Sequence, residues 1–376
     1  MSEFRPPRRL QGVEKSMIRQ LFDRALPGSI NLGLGEPDLP TPDVVRRAAA
    51  RVALEEQNGY TTHAGLPALR ERIADEYAHT RGRPERVIVT AGSQEALYLA
   101  LMTLVDEGDE VLLPDPGFVA YPTIVRMAGG RPVFYRLPAA ADFSFDAEEF
   151  RRLVTPRTRV VVLISPSNPT GRALTPQDLA SMTAALAGTD AYVISDEIYR
   201  ELYYTAERPA SISDYYARTL VIGGLSKSMS MTGWRIGWLC GDEEAIRSAL
   251  VLHGYVTTCA STISQKAALA AVWTEEAERA RAQMRRTFRA RRDYLLSLIG
   301  EVPGWRAVAP EGAFYTMVET GGGDSLRVAE TLLAHGVITV PGAAFGAEGE
   351  GFLRVSFCAE KEVLAEGVRR MARALT

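Results

Sequence analysis

Between Thr219 and Gly241 the chain carries two charges, Lys227 and Arg235, both positive, inside the run GLSKSMSMTGWRIGW (Gly224–Trp238). The rest of that segment is apolar or small and reads as protein interior. A buried charge without a partner costs several kcal/mol. The segment therefore calls for an anion opposite the arginine and for chemistry that removes the lysine's charge. A phosphate meets the first need, and condensation of the amine with an aldehyde meets the second.

Other short runs supply matching groups. In TAGSQEA (Thr90–Ala96) a strand-like run ends, two small residues turn, and a helix starts at Ser93 or Gln94. Free backbone N–H groups at such a terminus bind phosphate, although many helices begin this way. In SDEIY (Ser195–Tyr199), Asp196 stands at the carboxyl end of a strand-like run. Ligands of α/β sheets bind at that end. Asp196 reads equally well as a helix cap, but a carboxylate there can also hold a protonated pyridine nitrogen. SPSNPTG (Ser165–Gly171) forms a turn by itself and brings Asn168 to the same edge. DPGF (Asp115–Phe118) does the same for an aromatic ring, although a lone Phe118 reads more simply as core. Each signal is moderate alone. Together they outline a crevice for a flat aromatic cation with a phosphate tail and an aldehyde.

The elements that must position these groups are legible. Nearly continuous β-branched and apolar runs occur at Arg86–Ala91, Glu110–Asp115, Arg159–Pro166, Ala191–Glu197 and Leu220–Leu225. Such runs suit strands covered on both faces. Helix-like segments at Gln94–Val105 and Pro176–Ala187 lie between them, the alternation of a parallel sheet wrapped by helices. Arg235–Gly241 follows its predecessor too closely for a helical crossover, so it is expected to be an antiparallel member. After Thr274 comes a long segment, acidic first and basic later, as in a helix that complements its own dipole. Its arginines read as a solvated helix face rather than a nucleic-acid patch. Short strand-like runs at Phe314–Glu319, Val337–Gly342 and Phe352–Phe357, with a closing helix, predict a smaller α+β unit. The segment up to Pro40 is expected to complete that unit or to reach a second subunit.

Bulk properties bound the reading. The chain has 376 residues and a formal net charge of −3, so bulk attraction to nucleic acid or anionic membrane is not expected. No apolar run is long enough to span a bilayer, and MSEFRPPRRLQG lacks an apolar signal core, which predicts a cytoplasmic protein. Its three cysteines, Cys240, Cys259 and Cys358, match no metal-ligand spacing and suit a reducing compartment. No metal is expected. A dinucleotide site at LGLGEPD is rejected, because Gly33 and Gly35 lack a third glycine and prolines follow.

With SPSNPTG, SDEIY, SKSMSMTGWRIGW, PEGAFY (Pro310–Tyr315) and FLRVSF (Phe352–Phe357) in this order, the chain resembles the pyridoxal-phosphate aminotransferases of fold type I, class I/II. The likeness runs from LGLGEPDLPTP to the final helix. It implies an α/β fold. The large domain, 41–274, would have a mainly parallel seven-stranded sheet with one antiparallel strand. The smaller α+β domain would be built from 1–40 and 275–376. It implies pyridoxal 5'-phosphate as cofactor, amino acid and 2-oxo acid as substrates, and a homodimer with shared active sites. Lys227 resembles the lysine that bonds the cofactor and moves the substrate proton. Asp196 resembles the partner of the ring nitrogen, while Tyr199 and Asn168 resemble those of the ring oxygen. Phe118 would stack on the ring, and Gly92, Ser93, Gln94 and Arg235 would hold the phosphate. Tyr60 matches a tyrosine that reaches the neighbouring subunit's phosphate. Arg354 resembles the arginine that grips the substrate α-carboxylate, with Asn168 beside it and Gly35 in the segment closing over the substrate.

Two positions depart from the pattern. Gly224 stands where a phosphate-binding hydroxyl is common, so Ser226 or Ser228 would substitute. Ser93 stands where some aspartate-preferring relatives carry a lysine for the distal carboxylate. Losing such a pair in a dry pocket costs roughly 2–5 kcal/mol of discrimination. The expected donor is therefore neutral or aromatic, with 2-oxoglutarate as acceptor. The alternatives are an aspartate aminotransferase and a pyridoxal-phosphate-dependent C–S β-lyase.

Overall fold

The structure is a computed structural model and describes residues 5–375. Its main sheet has seven strands in the spatial order Val87–Thr90, Gly237–Gly241, Thr219–Gly224, Tyr192–Asp196, Thr158–Ile164, Glu110–Asp115 and Arg131–Arg136. Gly237–Gly241 runs antiparallel to both neighbours, and the other pairs are parallel. Every residue of Val87–Thr90, Glu110–Asp115, Thr219–Gly224 and Gly237–Gly241 is buried. Helices on both faces of a parallel sheet account for such unbroken apolar runs.

Six of these strands lie where the sequence predicts them. The seventh, Arg131–Arg136, is an edge strand with largely half-buried or exposed residues. Pro132 cannot donate to a ladder, and a proline is tolerated at an edge. That composition hides the strand from pattern reading.

The wrapping helices follow local rules. Pro176–Leu186 starts with a capping box between Thr175 and Asp178. Ser93–Leu104 buries Ala96, Leu97, Leu99, Ala100, Leu101 and Leu104. Glu275–Gly300 is a single 26-residue helix capped by Thr274, with three glutamates in its first turn. Its arginines engage carboxylates, as in Arg279–Glu275 and Arg281–Glu278. Arg291 is buried and reaches both Asp38 and Glu360. No helix among the described residues is long and apolar enough to cross a membrane.

A second, four-stranded antiparallel sheet has the order Val340–Pro341, Phe352–Ser356, Tyr315–Glu319, Arg306–Ala307. The run Val337–Gly342 is not one strand. Val337–Ile338 pairs in parallel with Ile30–Asn31, whereas Val340–Pro341 joins the four-stranded sheet. The N-terminal segment is thereby tied to the C-terminal portion, and residues 33–35 are held across from the main sheet.

Candidate active site

The carboxyl ends of the parallel strands meet the second sheet at a cavity of about 310 Å³. Its walls include Gly35, Ser93, Gln94, Phe118, Asn168, Asp196, Tyr199, Ser226, Lys227, Arg235 and Arg354. All are residues the sequence singles out. Gly92 adjoins it as the N-cap of the Ser93 helix. Tyr60 is not in this cavity; it is 89% exposed. Of the two candidate hydroxyls, Ser226 lines the cavity and Ser228 lines a separate hollow beside Tyr77 and Trp238. Gly224 is closely packed: a Cβ would lie 3.0 Å from Ile198 Cδ1 and 3.2 Å from Gly237 Cα, so a side chain there requires those neighbours to give.

Asp196 ends its strand and is buried. Its carboxylate accepts from the Tyr121 hydroxyl at 2.9 Å and from the Ile198 N–H at 3.2 Å. Burial nevertheless pushes its pKa up to about 6, against these two hydrogen bonds and the charge of Lys227. A carboxylate so dehydrated gains most from a cation placed against it.

Lys227 Nζ donates to the Gly35 carbonyl at 2.6 Å. Burial lowers the pKa of this amine and the charges of Arg354 and Arg235 add to the effect, while Cys358 and Glu36 oppose it. Gly35 is required sterically, because a Cβ there would lie 2.0 Å from the Tyr315 hydroxyl. That hydroxyl is 3.0 Å from the hydroxyl of Tyr199. Burial holds Tyr199 well above the usual phenol range and moves Tyr315 up to about 12. Both phenols stay protonated and can donate.

Arg354 is 3% exposed. It donates to Asn168 Oδ1 at 2.8 Å and to the Gly33 carbonyl at 2.5 Å. Its guanidinium lies 4.3 Å from the Tyr315 ring centroid and 4.8 Å from that of Phe345. Its Nε has no hydrogen-bond partner within the protein. Both groups it donates to are neutral, so the cation is solvated without being neutralised.

Arg235 differs from its expected interior position: its side chain is exposed at the cavity's edge. It donates to the carbonyls of Thr232 at 2.9 Å and Ala91 at 3.3 Å. Its own φ is 51°, an uncommon conformation for a residue with a side chain. Gly92, with φ 85°, lets the guanidinium approach, since a Cβ there would lie 2.4 Å from Arg235 Nη2. No side chain caps the helix that follows. Its first N–H groups and Arg235 together form an anion cradle.

Tyr121, behind the wall, and the wall residues Tyr315, Ile18, Ile164, Ile198 and Thr232 were not assigned roles from the sequence. Tyr121 holds Asp196, and Tyr315 meets both Tyr199 and Arg354. Ile18, Ile164, Ile198 and Thr232 complete the lining. Tyr121 lies three residues after Phe118, and their rings meet edge to face at 5.5 Å.

These groups fit pyridoxal phosphate. Asp196 has no ion pair among the described residues, the Ser93 helix has no side-chain cap, and Lys227 is a buried amine lining the same cavity.

Comparison with known proteins agrees with the geometry. The sequence pattern of the family described as aminotransferase class I and II matches residues 27–371. An aspartate/prephenate aminotransferase of Thermus thermophilus is 40% identical over 355 residues, covering 92% of this chain and 91% of that protein. An aromatic-amino-acid aminotransferase of Thermococcus litoralis is 34% identical, covering 98% and 97%. The structure of Thermus thermophilus aspartate aminotransferase with maleate superposes with a TM-score of 0.93 at 36% identity, covering 99% of this chain and 100% of that one. The chain belongs to the class I and II aminotransferases and is a pyridoxal-phosphate-dependent transaminase of fold type I.

Proposed function

We propose that the cleft moves the α-amino group of a neutral or aromatic amino acid to 2-oxoglutarate in a ping-pong cycle. One observation carries this reading. The cations lining the cavity are Lys227, Arg235 and Arg354, and each has a task other than holding a second carboxylate. The remaining wall contains Ile18, Phe118, Ile164 and Ile198, with Ser93 at the helix terminus. A second reading, aspartate as donor, is favoured by the name of the Thermus thermophilus relative.

The residues divide the work. Gly92, Ser93, Gln94, Ser226 and Arg235 hold the phosphate. Asp196, steadied by Tyr121 and the Ile198 N–H, keeps a proton on the ring nitrogen. Tyr199 and the Asn168 amide donate to the ring oxygen, and Phe118 covers the ring face. Pyridoxal phosphate, when bound, supplies an aldehyde that condenses with amines and a cationic ring that draws electrons from the substrate Cα. Arg354 grips the α-carboxylate through two parallel N–H···O bonds and so fixes which Cα bond faces Lys227. Lys227 Nζ, its basicity tuned by burial, takes the proton from Cα and returns one on the other side of the transfer. In this scheme residues 41–274 hold the cofactor, and 1–40 with 275–376 hold the substrate. The assembly is a cytoplasmic homodimer in which Tyr60 reaches the partner's phosphate.

A panel of amino donors, each tested with 2-oxoglutarate and with pyruvate, checks the reading. Phenylalanine, tyrosine or leucine should exceed aspartate in kcat/KM with 2-oxoglutarate; a clear aspartate preference would transfer the assignment to the second reading. Lys227→Ala should abolish turnover and the visible absorption band of bound cofactor. A variant keeping both would refute the catalytic role of the lysine.

A further inference from the structure

The phosphate cradle is built on a turn that is supported partly from outside the cavity. Gly92 caps the Ser93 helix with no side chain, so the cap residue itself does not fix the turn. The Ala91 peptide is instead clamped from two directions. Its carbonyl accepts from Arg235 Nη2 at 3.3 Å, and its N–H donates to Glu95 Oε2. Glu95 is the third residue of the helix. Its carboxylate reaches back past the N-cap Gly92 to the Ala91 N–H, one residue before the position a capping box uses. No side chain caps the first N–H groups of the helix, and those groups stay free for an anion.

Glu95 is itself fixed from behind. Its Oε1 accepts from His253 Nδ1 at 2.9 Å and from the Thr257 hydroxyl. His253 is 0% exposed and its Nε2 has no hydrogen-bond partner within the protein. A carboxylate only accepts, so the imidazole proton must sit on Nδ1, which fixes the ring's tautomer and orientation. Burial alone would raise the pKa of Glu95, but His253, Thr257 and the Ala91 N–H outweigh it and hold the group below its ordinary value. An ionised Glu95 beside a phosphate is tolerable because its charge is directed away from the cradle, onto His253 and Thr257.

We propose that Glu95, locked by His253 and Thr257, is a positioning residue for the cofactor phosphate. It acts through the Ala91–Gly92 turn and touches neither cofactor nor substrate. This rests on the reading that the phosphate sits at the Ser93 terminus. A role confined to joining the Glu243–Val256 helix to the Ser93–Leu104 helix would affect every ligand of the cleft alike. A positioning role affects only ligands that carry the phosphate.

The test compares dissociation constants of pyridoxal phosphate and of pyridoxal, which lacks the phosphate, for apoprotein of wild type, Glu95→Ala and Thr257→Val. Melting temperatures and the phosphorus NMR shift of bound cofactor are recorded alongside. Glu95→Ala should bind pyridoxal phosphate about 10–100-fold more weakly, as loss of a charged hydrogen-bond partner predicts, while pyridoxal changes less than about 2-fold and the phosphorus shift moves. Thr257→Val, which keeps shape and removes one bond, should show the same selectivity at about 3-fold. If Glu95→Ala does not fold, Thr257→Val decides alone. Equal weakening of both ligands, or none, in the folded variants overturns the proposal. If wild type binds pyridoxal as tightly as pyridoxal phosphate, the placement of the phosphate fails as well, and the proposal falls with it.

Discussion

Two arginines face one cavity from opposite sides and are held in opposite ways. Arg235 is exposed, donates to main-chain carbonyls at a glycine-rich turn, and stands beside free N–H groups. Arg354 is buried between two aromatic rings and bound to an amide and a carbonyl. The contrast matches the two anions the site must handle. A phosphate dianion that stays bound is shared among many donors, so no single one need be dehydrated beforehand. A substrate carboxylate that comes and goes must be selected rapidly, and a dehydrated planar guanidinium discriminates strongly against anything that leaves it unpaired.

The largest expected effect follows from burial. Arg354→Ala should lower kcat/KM for amino acids roughly 100–1000-fold, mainly through KM, because truncating a desolvated charge pair costs about 2–5 kcal/mol. Cofactor should remain bound, which its absorption spectrum reports. Loss of cofactor would place Arg354 on the wrong side of the comparison.

The next effect concerns the carboxylate that lines the same cavity as the two arginines. The folded pKa of Asp196 is about 6, above the ordinary 3.8. The folded apoprotein therefore holds this proton more tightly than the unfolded chain. Stability falls as pH rises through that interval, by about 3 kcal/mol once both states are ionised. Asp196→Asn apoprotein should melt higher than wild type at pH 7.5, and the advantage should shrink toward pH 4.5. The variant should also lose activity. A constant offset in melting temperature at both pH values would show that burial of the charge is not the cause.

Arg235→Ala should be milder than Arg354→Ala. Removing one charged donor from a shared cradle should weaken cofactor affinity about 10–100-fold. With cofactor saturating, KM for the amino acid should stay near wild type. A KM change as large as that of Arg354→Ala would erase the distinction between the two sites.

The two sides also differ in how much of them the sequence revealed. Lys227, Asp196, Asn168 and Arg235 follow or flank strand ends, where periodic apolar runs break into polar residues, and their types stand out there. Arg354 was conspicuous for the opposite reason, as a cation inside FLRVSF. Most of the main sheet was legible because strands buried on both faces are continuous in composition. Arg131–Arg136 was not, since an edge strand with a proline has no such signature. The two-residue strands Ile30–Asn31 and Val337–Ile338 exist only through their pairing across the chain. Tyr121 and Tyr315 are buried core aromatics, and nothing local marks the hydroxyl that serves the site. The Glu95–His253 contact spans 158 positions and could not be read from spacing.

Tyr60 offers the smallest expected effect and the sharpest test of where the phosphate side ends. Its ring is 89% exposed, and Tyr255, on the helix Glu243–Val256, is 90% exposed. Aromatic surface of this kind is commonly covered by association. If a partner's Tyr60 supplies one neutral hydroxyl to the phosphate, Tyr60→Phe should weaken cofactor retention only about 3–10-fold. Unlike the effect of Arg235→Ala, this loss depends on the dimer. Dilution below the dimer's dissociation constant should bring wild type and Tyr60→Phe to the same cofactor affinity, while Arg235→Ala stays weaker than both. A Tyr60→Phe defect that persists unchanged in the monomer would confine the whole cradle to one chain.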